Sequence, residues 1–469
     1  HAFVLELPQG YDTLVGGDGV PLSPSQLHRL ELAHRLVGEP DAVVDPVATE
    51  PPLPPDDPGL PGLRRLLDAG AMAPILARAL AVDVAPEVRI RSVRYKRGKN
   101  AVVHYDVGTE RDWLEAVMYA TSVPEELETK PARPRRAALA AQVGDRRPAT
   151  PSPLSYELEV GALLQWLPLD IRLKGLAETG AELAGRLAGA GLAVEAGTEP
   201  ELLRYWARRR AVLGFGEHVI KLYREPLDFV VAERGLRTAS GLVGVPTAAF
   251  EAVLPSLKAT VQRRVHGRAP VLRPADGELV GTFLARLHGA ALPEPDAVGT
   301  SDTADLLAKA AIRAHLVAEL VPGLEPELGA LVAELEARRP RGLPLVTSHG
   351  NFHAGQLLET GERRAGGALE PSFVMIDVDR LCRSHPGYDV ASYAAHLAFG
   401  RAGSPDELEV VASAAAGLVE GYGSRPEGLG WFLATCLLRR APVPFRYLDE
   451  RWPDAVAALV RSAAQALDQ

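Results

Sequence analysis

The sequence predicts an α+β fold, in which a strand-rich first half precedes a mainly helical second half. Residues 94–105 and 204–215 share a pattern of strand, basic turn and strand, and each copy is followed by a further β-prone stretch. After residue 270, apolar residues recur at helical spacing, as over 328–335. Only a short β-like island at 345–379 interrupts these helices. We therefore expect a β-rich part followed by a helical part.

The composition is that of an ordinary globular protein, and it argues against several functional classes. The 469 residues carry a formal net charge of −9, which disfavours a general binder of nucleic acid or of anionic membranes. No run reaches about 18 consecutive apolar residues, so we expect no membrane-spanning helix. Two cysteines, Cys382 and Cys436, are too few for a disulfide framework and suit a reducing compartment. Because no signal-peptide pattern is visible, we expect a cytoplasmic location.

A proline-rich stretch over 51–58 is the clearest boundary, because proline neither continues a helix nor donates to a sheet. We predict a separate segment at 1–50, a linker with an accessory subdomain at 51–195, a β-rich lobe with a hinge at 196–267, and a helical lobe at 268–469.

The first copy of the repeated strand pattern is interpreted as a small accessory sheet that packs on the second copy. Between the copies, residues 123–152 are rich in proline, arginine and alanine, and we expect a mobile loop there. An amphipathic helix follows, marked by Leu176, Leu183 and Leu187.

Three motifs within residues 1–50 resemble the last third of an ABC-transporter ATPase. They are LPQGYDT at 7–13, LSPSQ at 22–26 and AVVD at 42–45. Pro24 and Ser25 replace both signature glycines, although close approach of backbone N–H groups to a phosphate requires glycine. Pro46 stands where that family has its catalytic glutamate, and the chain contains no P-loop motif. We interpret the segment as a catalytically dead relic or a docking element for a transporter or pathway partner.

The β-like island carries the clearest chemistry. It reads SHGNFHAGQLL over 348–358 and FVMIDVD over 373–379. A polar turn followed by a buried strand that ends in two aspartates suits Mg²⁺, which prefers oxygen ligands. Gln356 and Asp377 offer an amide oxygen and a carboxylate. The alternative is a hairpin whose polar residues merely satisfy backbone groups.

These motifs resemble the aminoglycoside phosphotransferase and choline kinase superfamily, which carries His-Gly-Asp-x-x-x-x-Asn followed by an Ile-Asp strand. The matching stretches are His349 to Gln356, Ile376 to Asp379, LARLH at 284–288 and PGYDVA at 386–391. The resemblance covers residues 90–400 and, more loosely, the rest. It implies a bilobal protein-kinase-like fold with a β-rich N-lobe, an accessory N-terminal sheet and a mainly helical C-lobe.

The resemblance also implies roles in binding ATP and Mg²⁺. Lys221 would pair with the α- and β-phosphates, and Glu233 would be its ion-pair partner. Asp377 would hold Mg²⁺ between the β- and γ-phosphates, with Gln356 as a second ligand and Asp379 as a further metal-binding residue.

Further residues are implied in nucleotide binding. Arg208, Arg209 and Arg210 lie in the N-lobe turn that would cover the phosphates, with a solvated basic turn as the alternative. Arg263 and Val265 lie in the expected hinge over 262–267, where backbone groups would meet adenine. Asp389 would cap a helix and tie down the catalytic loop.

Two departures from the family pattern concern catalysis. Gln356 replaces the usual asparagine, as it does in maltokinase-like members, which also carry an accessory N-terminal sheet. Asn351 replaces the catalytic aspartate, and a carboxamide cannot take a proton. General-base assistance is typically worth about 10²–10⁴-fold, so we expect slowed transfer with nucleotide binding retained.

Two functions remain open at this point. The first is an ATP- and Mg²⁺-dependent phosphotransferase acting on a hydroxyl of a sugar, an aminocyclitol or a natural-product intermediate. The second is a nucleotide-binding pseudokinase that serves as a scaffold or partner subunit in a biosynthetic or transport pathway. Asn351 favours the second, whereas the retained Lys221, Gln356 and Asp377 favour the first.

Overall fold

The computed structural model describes residues 52–468, apart from 110–111, 147–149, 151, 269–273, 295, 361–372 and 401–414. The predicted ABC-like motifs in 1–50 lie outside the described residues. The predicted bilobal α+β architecture with an accessory sheet is confirmed, because two antiparallel five-stranded sheets precede a mainly helical lobe. None of the described helices is both long enough and apolar enough to cross a membrane.

The accessory subdomain consists of two helices and one sheet. Helices α1 (Leu63–Leu66) and α2 (Ala69–Leu80) come first. The sheet has the order β1-β2-β3-β5-β4, and its strands are β1 (Glu87–Lys96), β2 (Asn100–Gly108), β3 (Trp113–Thr121), β4 (Leu154–Glu157) and β5 (Ala162–Trp166). Its inner face, α1 and α2 share one apolar core with the helical lobe.

The prediction of a loop over 123–152 is wrong. Two helices, α3 (Glu125–Glu128) and α4 (Pro134–Arg146), occupy most of it. Pro134 is the first residue of α4, a position at which proline is tolerated. Leu139 and Val143, one helical turn apart, pack into a core cluster with Leu127. This apolar stripe outweighs the turn-like proline and arginine content of the segment.

The second sheet repeats the topology of the first. It follows α5 (Gly180–Gly189), whose N-terminus is closed by a capping box between Thr179 and Glu182. Its order is β6-β7-β8-β10-β9, and its strands are β6 (Glu201–Trp206), β7 (Arg210–Phe215), β8 (His218–Tyr223), β9 (Phe250–Leu254) and β10 (Ala259–Arg263). Helix α6 (Pro226–Ser240) lies between β8 and β9. The predicted internal repeat is therefore confirmed.

The first sheet packs on the second, as predicted. Val102 and Val117 of the accessory sheet form a buried cluster with Leu167 and with Ala207 of the β6–β7 turn. Arg94 of β1 donates to the carbonyl oxygen of Ala207.

The helical lobe contains the β-like island. Its helices are α7 (Pro274–Gly289), α8 (Thr303–Leu320), α9 (Glu325–Ala337), α10 (Pro386–Gly400), α11 (Leu429–Arg440), α12 (Val443–Arg446) and α13 (Trp452–Ala466). Its short strands are β11 (Thr300–Ser301), β12 (Val346–Ser348), β13 (Leu357–Glu359), β14 (Phe373–Met375) and β15 (Cys382–Ser384). Strand β13 pairs with β14 and also exchanges backbone bonds with Arg268, just after the predicted hinge.

Candidate active site

Lys221 on β8 forms ion pairs with two carboxylates that are distant in the sequence. Its Nζ donates to Oδ1 of Asp377 at 2.9 Å and to Oδ1 of Asp379 at 2.8 Å, across 156 and 158 residues of chain. The lysine is 4% exposed. Burial lowers the pKa of Lys221, but the two carboxylates more than offset it and raise that pKa above its ordinary value. Lys221 is therefore a charged, fixed ammonium group.

Arg210 on β7 adds a second cation to the same two carboxylates. Its Nη1 lies 2.8 Å from Oδ2 of Asp379 and 3.2 Å from Oδ1 of Asp377. Burial would raise the pKa of Asp377, but Lys221 and Arg210 hold it well below its usual range. Two positive charges thus balance two negative charges in one half-buried site.

Asp379 is the more enclosed of the two carboxylates. Besides Lys221 and Arg210, it accepts a hydrogen bond from the Tyr223 hydroxyl at 2.8 Å. Sequence reasoning missed Tyr223, although it stands two residues after Lys221 and therefore on the same face of β8. Asp377 adopts a left-handed backbone with φ of 57° and is less enclosed than Asp379.

The predicted ion pair between Lys221 and Glu233 is wrong. Glu233 pairs instead with Arg237, one helical turn along α6, at 3.0 Å. The face of α6 that meets the aspartate turn is the one with Gly235, where a Cβ would lie 2.6 Å from the Val378 carbonyl oxygen. Side chains two positions apart on an α-helix are separated by about 200° around the helix axis, so they lie on nearly opposite faces. Glu233 therefore faces away from the turn whose carboxylates pair with Lys221.

The three arginines of the N-lobe turn have three different environments. Arg210 reaches the aspartates, and Arg209 is exposed to solvent. Arg208 is 3% exposed, and its guanidinium lies 3.8 Å from the ring centre of Tyr119 on the accessory sheet. The expectation that Arg208 covers phosphates is thus wrong, because its left-handed backbone turns the side chain into the contact between the sheets.

The expected hinge follows the end of β10. The exposed Arg263 side chain lies 3.7 Å from Glu217 and 3.8 Å from Glu251, and its backbone N–H donates to the Ala249 carbonyl oxygen. Val265 is half-buried. Within the part of the chain that the structure describes, the buried Oε1 of Gln262 has no hydrogen-bond partner. Gln262 is therefore a candidate polar contact that sequence reasoning did not single out.

The loop after β12, which the resemblance implies is the catalytic loop, is held by Asp389. Its buried carboxylate accepts hydrogen bonds from the backbone N–H of His349 at 2.7 Å and of Gly350 at 3.0 Å. Burial opposes ionisation, but the interaction with His288 is the main cause that keeps the pKa of Asp389 below its ordinary value. Asn351 follows directly, half-buried, and its side chain forms no hydrogen bond with any described residue. Its carboxamide is thus available to a ligand.

Gln356 and Asp377 are neighbours, as the resemblance implied. Gln356 Nε2 lies 3.2 Å from Oδ2 of Asp377 and 3.0 Å from Nε2 of His353. The rings of His353 and His396 stack with centroids 4.2 Å apart. Burial, reinforced by the like charge of His396, lowers the pKa of His353 to about 2, so this imidazole is neutral. His353 was not recognised as a site residue from the sequence.

The donor set fits a hard divalent cation. Rotating the Gln356 amide by half a turn would place its oxygen, rather than its nitrogen, beside the Asp377 carboxylate. Two neighbouring ligands of octahedral Mg²⁺, each at about 2.1 Å, lie about 3 Å apart. The observed spacing of 3.2 Å between these two side chains matches that requirement.

Known proteins of solved structure resemble this chain at low sequence identity. No curated protein has significant sequence similarity to the chain. A choline/ethanolamine kinase family protein from Mesorhizobium loti matches with 16% identity and a TM-score of 0.41, over 62% of this chain and 95% of that chain. A spectinomycin phosphotransferase, solved with ADP and spectinomycin, matches with 13% identity and a TM-score of 0.43, over 62% and 98%.

A macrolide 2'-phosphotransferase from Brachybacterium faecium matches with 17% identity and a TM-score of 0.39, over 61% of this chain and 96% of that chain. The sequence model of the phosphotransferase enzyme family matches residues 225–431, which run from the start of α6 into α11 and include the catalytic loop and both aspartates. This match supports a phosphotransferase.

Proposed function

We propose that the chain is an ATP- and Mg²⁺-dependent phosphotransferase that acts on a hydroxyl group of a small molecule. The observation that carries the proposal is the convergence of Lys221 and Asp377, with Nζ and Oδ1 2.9 Å apart, beside a catalytic loop held by Asp389. A fixed ammonium group next to a deprotonated carboxylate suits a triphosphate bound together with a divalent cation. The match of residues 225–431 to a phosphotransferase family supports the same reaction class.

The positive charges act on the nucleotide phosphates. When ATP binds, Lys221 and Arg210 exchange a carboxylate partner for phosphate oxygens, and both stay charged because a nearby anion is always present. Asp379 keeps a fixed position through Tyr223, so it orients Lys221 toward the cleft. Fixed donors aimed at developing charge contribute more to catalysis than mobile ones, because they need no reorganisation during transfer.

Asp377 and Gln356 would hold Mg²⁺, with Asp379 serving mainly to position Lys221. The bound cation would neutralise charge on the transferred phosphoryl group. The hinge backbone near Val265 and the side chain of Gln262 would meet the adenine base.

In the transfer step, the bond between the γ-phosphorus and the β–γ bridging oxygen breaks, and a bond forms between the γ-phosphorus and the acceptor oxygen. ADP leaves with the bridging oxygen. Asn351 accepts a hydrogen bond from the acceptor hydroxyl and so orients it, but it cannot remove the proton. The proton passes to a phosphoryl oxygen or to water, and transfer is slower by about 10²–10⁴-fold than with a carboxylate.

The second candidate function is a nucleotide-binding scaffold. Asn351 favours it, because the one group positioned to take the acceptor proton is missing. The two functions share ATP binding and differ in turnover.

The test uses ATP binding and turnover in separate steps. We expect ATP with Mg²⁺ to raise the thermal midpoint of the wild-type chain, Asp377→Ala to remove that rise, and the exposed-site control Asp83→Ala to retain it. Asn351→Asp should then increase phosphate transfer to an acceptor from a panel of sugars, sugar phosphates, sugar acids and aminocyclitols. No nucleotide-dependent shift would overturn both functions, whereas a shift with an inert Asn351→Asp variant would favour the scaffold.

A further inference from the structure

His353 lies directly beside Gln356, one of the two candidate metal ligands. The chain makes one turn of 3₁₀ helix over Ala354–Gln356, and the backbone N–H of Gln356 donates to the His353 carbonyl oxygen at 2.9 Å. Side chains three positions apart on such a turn lie one above the other. The turn therefore places the His353 imidazole against the Gln356 amide, and the Nε2 atoms of the two side chains are 3.0 Å apart.

The backbone fixes Gln356 beside Asp377, but it does not orient the Gln356 amide. The backbone N–H of Ile376 donates to the Gln356 carbonyl oxygen at 2.8 Å, next to the pairing of β13 with β14. Nε2 of Gln356 lies 3.2 Å from Oδ2 of Asp377. In this orientation the amide donates one hydrogen to Asp377 and the other to Nε2 of His353, which acts as an acceptor. The amide thus presents its nitrogen, not its oxygen, to the position where a cation would bind.

Acceptance at Nε2 leaves His353 with an N–H group that has no acceptor. The imidazole is neutral and carries one proton, which must then be on Nδ1. Among the residues that the structure describes, none forms a hydrogen bond with this buried Nδ1. His396 stacks on the ring with 12° between the planes, so it lies above the ring nitrogens rather than in their plane. A buried N–H without an acceptor is unfavourable and rare in folded proteins.

A cation between Gln356 and Asp377 would reverse this arrangement. Half a turn of the amide places its oxygen 3.2 Å from the Asp377 carboxylate, which is repulsive without a cation and favourable with one. The same rotation places that oxygen 3.0 Å from Nε2 of His353. The imidazole can then carry its proton on Nε2 and donate it to the amide oxygen, whose two lone pairs serve the cation and the imidazole. The unmet N–H group disappears, and Nδ1 keeps only a lone pair.

We propose that His353 is a positioning residue for the metal site, and that its Nε2–H group holds the Gln356 oxygen toward a cation bound at Asp377. This inference rests on the proposed function. On metal binding, one proton leaves Nδ1 and one binds Nε2, by exchange with water and without a change in net charge. An amide requires such a partner because only one of its two ends can bind a cation, whereas a carboxylate can use either oxygen. Groups that contact metal ligands in this way fix the orientation of those ligands.

The binding test is a double-mutant cycle with Mn²⁺ alone as the probe, titrated by electron paramagnetic resonance. We expect His353→Phe to weaken Mn²⁺ binding by about 10- to 100-fold, the usual effect of removing a group that orients a metal ligand. In a Gln356→Glu background, the same substitution should change Mn²⁺ affinity by no more than about twofold, as for independent sites. His353→Gln keeps an N–H donor and should lose less affinity than His353→Phe. His315→Phe, at an exposed histidine on α8, should match the wild type.

The position of the His353 proton is measured by ¹⁵N NMR of the histidine rings, because a protonated ring nitrogen and an unprotonated one resonate in separate ranges. The His353 signals are assigned by their absence from the spectrum of His353→Gln. We expect the proton on Nδ1 in the protein alone and on Nε2 after addition of AMP-PNP and Mg²⁺. A histidine with a merely structural role would keep the same tautomer in both spectra.

Equal losses of Mn²⁺ affinity in the two backgrounds, or an unchanged tautomer, would overturn the inference. Thermal unfolding checks that each variant is folded, and if His353→Phe is not, His353→Gln and the NMR spectra decide. The same measurements separate this inference from the proposed function. A wild-type chain that shows neither Mn²⁺ binding sensitive to Asp377→Ala nor a thermal shift with AMP-PNP and Mg²⁺ overturns both. Mn²⁺ binding that depends on Asp377 but not on His353 overturns only the role of His353.

Discussion

Arg210 lies where a metal–nucleotide complex would have to displace it from the two aspartates. Removing its side chain should raise the affinity for a metal ion alone and lower the affinity for ATP with Mg²⁺. Its guanidinium donates to both Asp377 and Asp379, at 2.8–3.4 Å. Hydrogen bonds to charged groups contribute about 1.5–3 kcal/mol, so Arg210→Gln should lower the free energy of unfolding by about 2 kcal/mol. Lys221 stays in place, and the two carboxylates then carry one excess negative charge.

The free energy of the hydrogen bonds between Arg210 and the two aspartates opposes metal binding in the wild type, because a cation on Asp377 must break them. Without them, the affinity for Mn²⁺ alone, used as a spectroscopic substitute for Mg²⁺, should rise by up to about 30-fold, the equivalent of 2 kcal/mol. Affinity for ATP with Mg²⁺ should instead fall, because Arg210 would no longer meet the phosphates. Urea unfolding, Mn²⁺ titration by electron paramagnetic resonance and ATP calorimetry measure the three effects.

Arg461→Gln controls for the loss of one positive charge anywhere on the protein and should leave all three quantities unchanged. Equal Mn²⁺ affinity in the wild type and in Arg210→Gln, at unchanged stability, would refute the view that Arg210 closes the metal site.

Three further variants test other parts of the site. Gly350→Ala should destabilise the chain by about 1–3 kcal/mol and abolish turnover with little loss of ATP affinity, since φ is 78° and the new Cβ would overlap the Arg380 carbonyl; unfolding and single-turnover assays separate the two effects. His396→Phe should flatten the decline in stability between pH 6.5 and 4. The folded-state pKa values of His353 and His396, about 2 and about 4, lie below the unfolded value, so their contribution is present above about pH 6.5 and is lost as pH falls, by up to about 1.4 kcal/mol per pH unit for each histidine. An equal slope in variant and wild-type urea unfolding curves across that range would contradict this assignment. Glu233→Gln should leave ATP affinity unchanged in calorimetry, and a tenfold loss would restore Glu233 as the partner of the strand lysine.

The paired strands of both copies could be predicted because they depend on local patterns. Alternation of apolar residues around two basic turns identified both copies, and the structure gives both sheets the same topology. The loop predicted at 123–152 failed for a tertiary reason. Its helix α4 is stabilised by burying Leu139 and Val143 against β-strand residues, which the proline and arginine content of the segment does not reveal.

The site was predictable only in part. The motifs around Asn351 and Asp377 are contiguous, so the sequence exposes them directly. Which carboxylate pairs with Lys221 depends on the three-dimensional structure. Asp379 lies within hydrogen-bond distance of Lys221, whereas Glu233 pairs with Arg237.

The most direct measurement is a crystal structure of the chain with AMP-PNP and Mg²⁺. We predict that Lys221 Nζ lies within hydrogen-bond distance of an α- or β-phosphate oxygen, and that Mg²⁺ binds the Asp377 carboxylate between the phosphates, in one cleft. A nucleotide bound elsewhere, with Lys221 still paired to both aspartates, would contradict it.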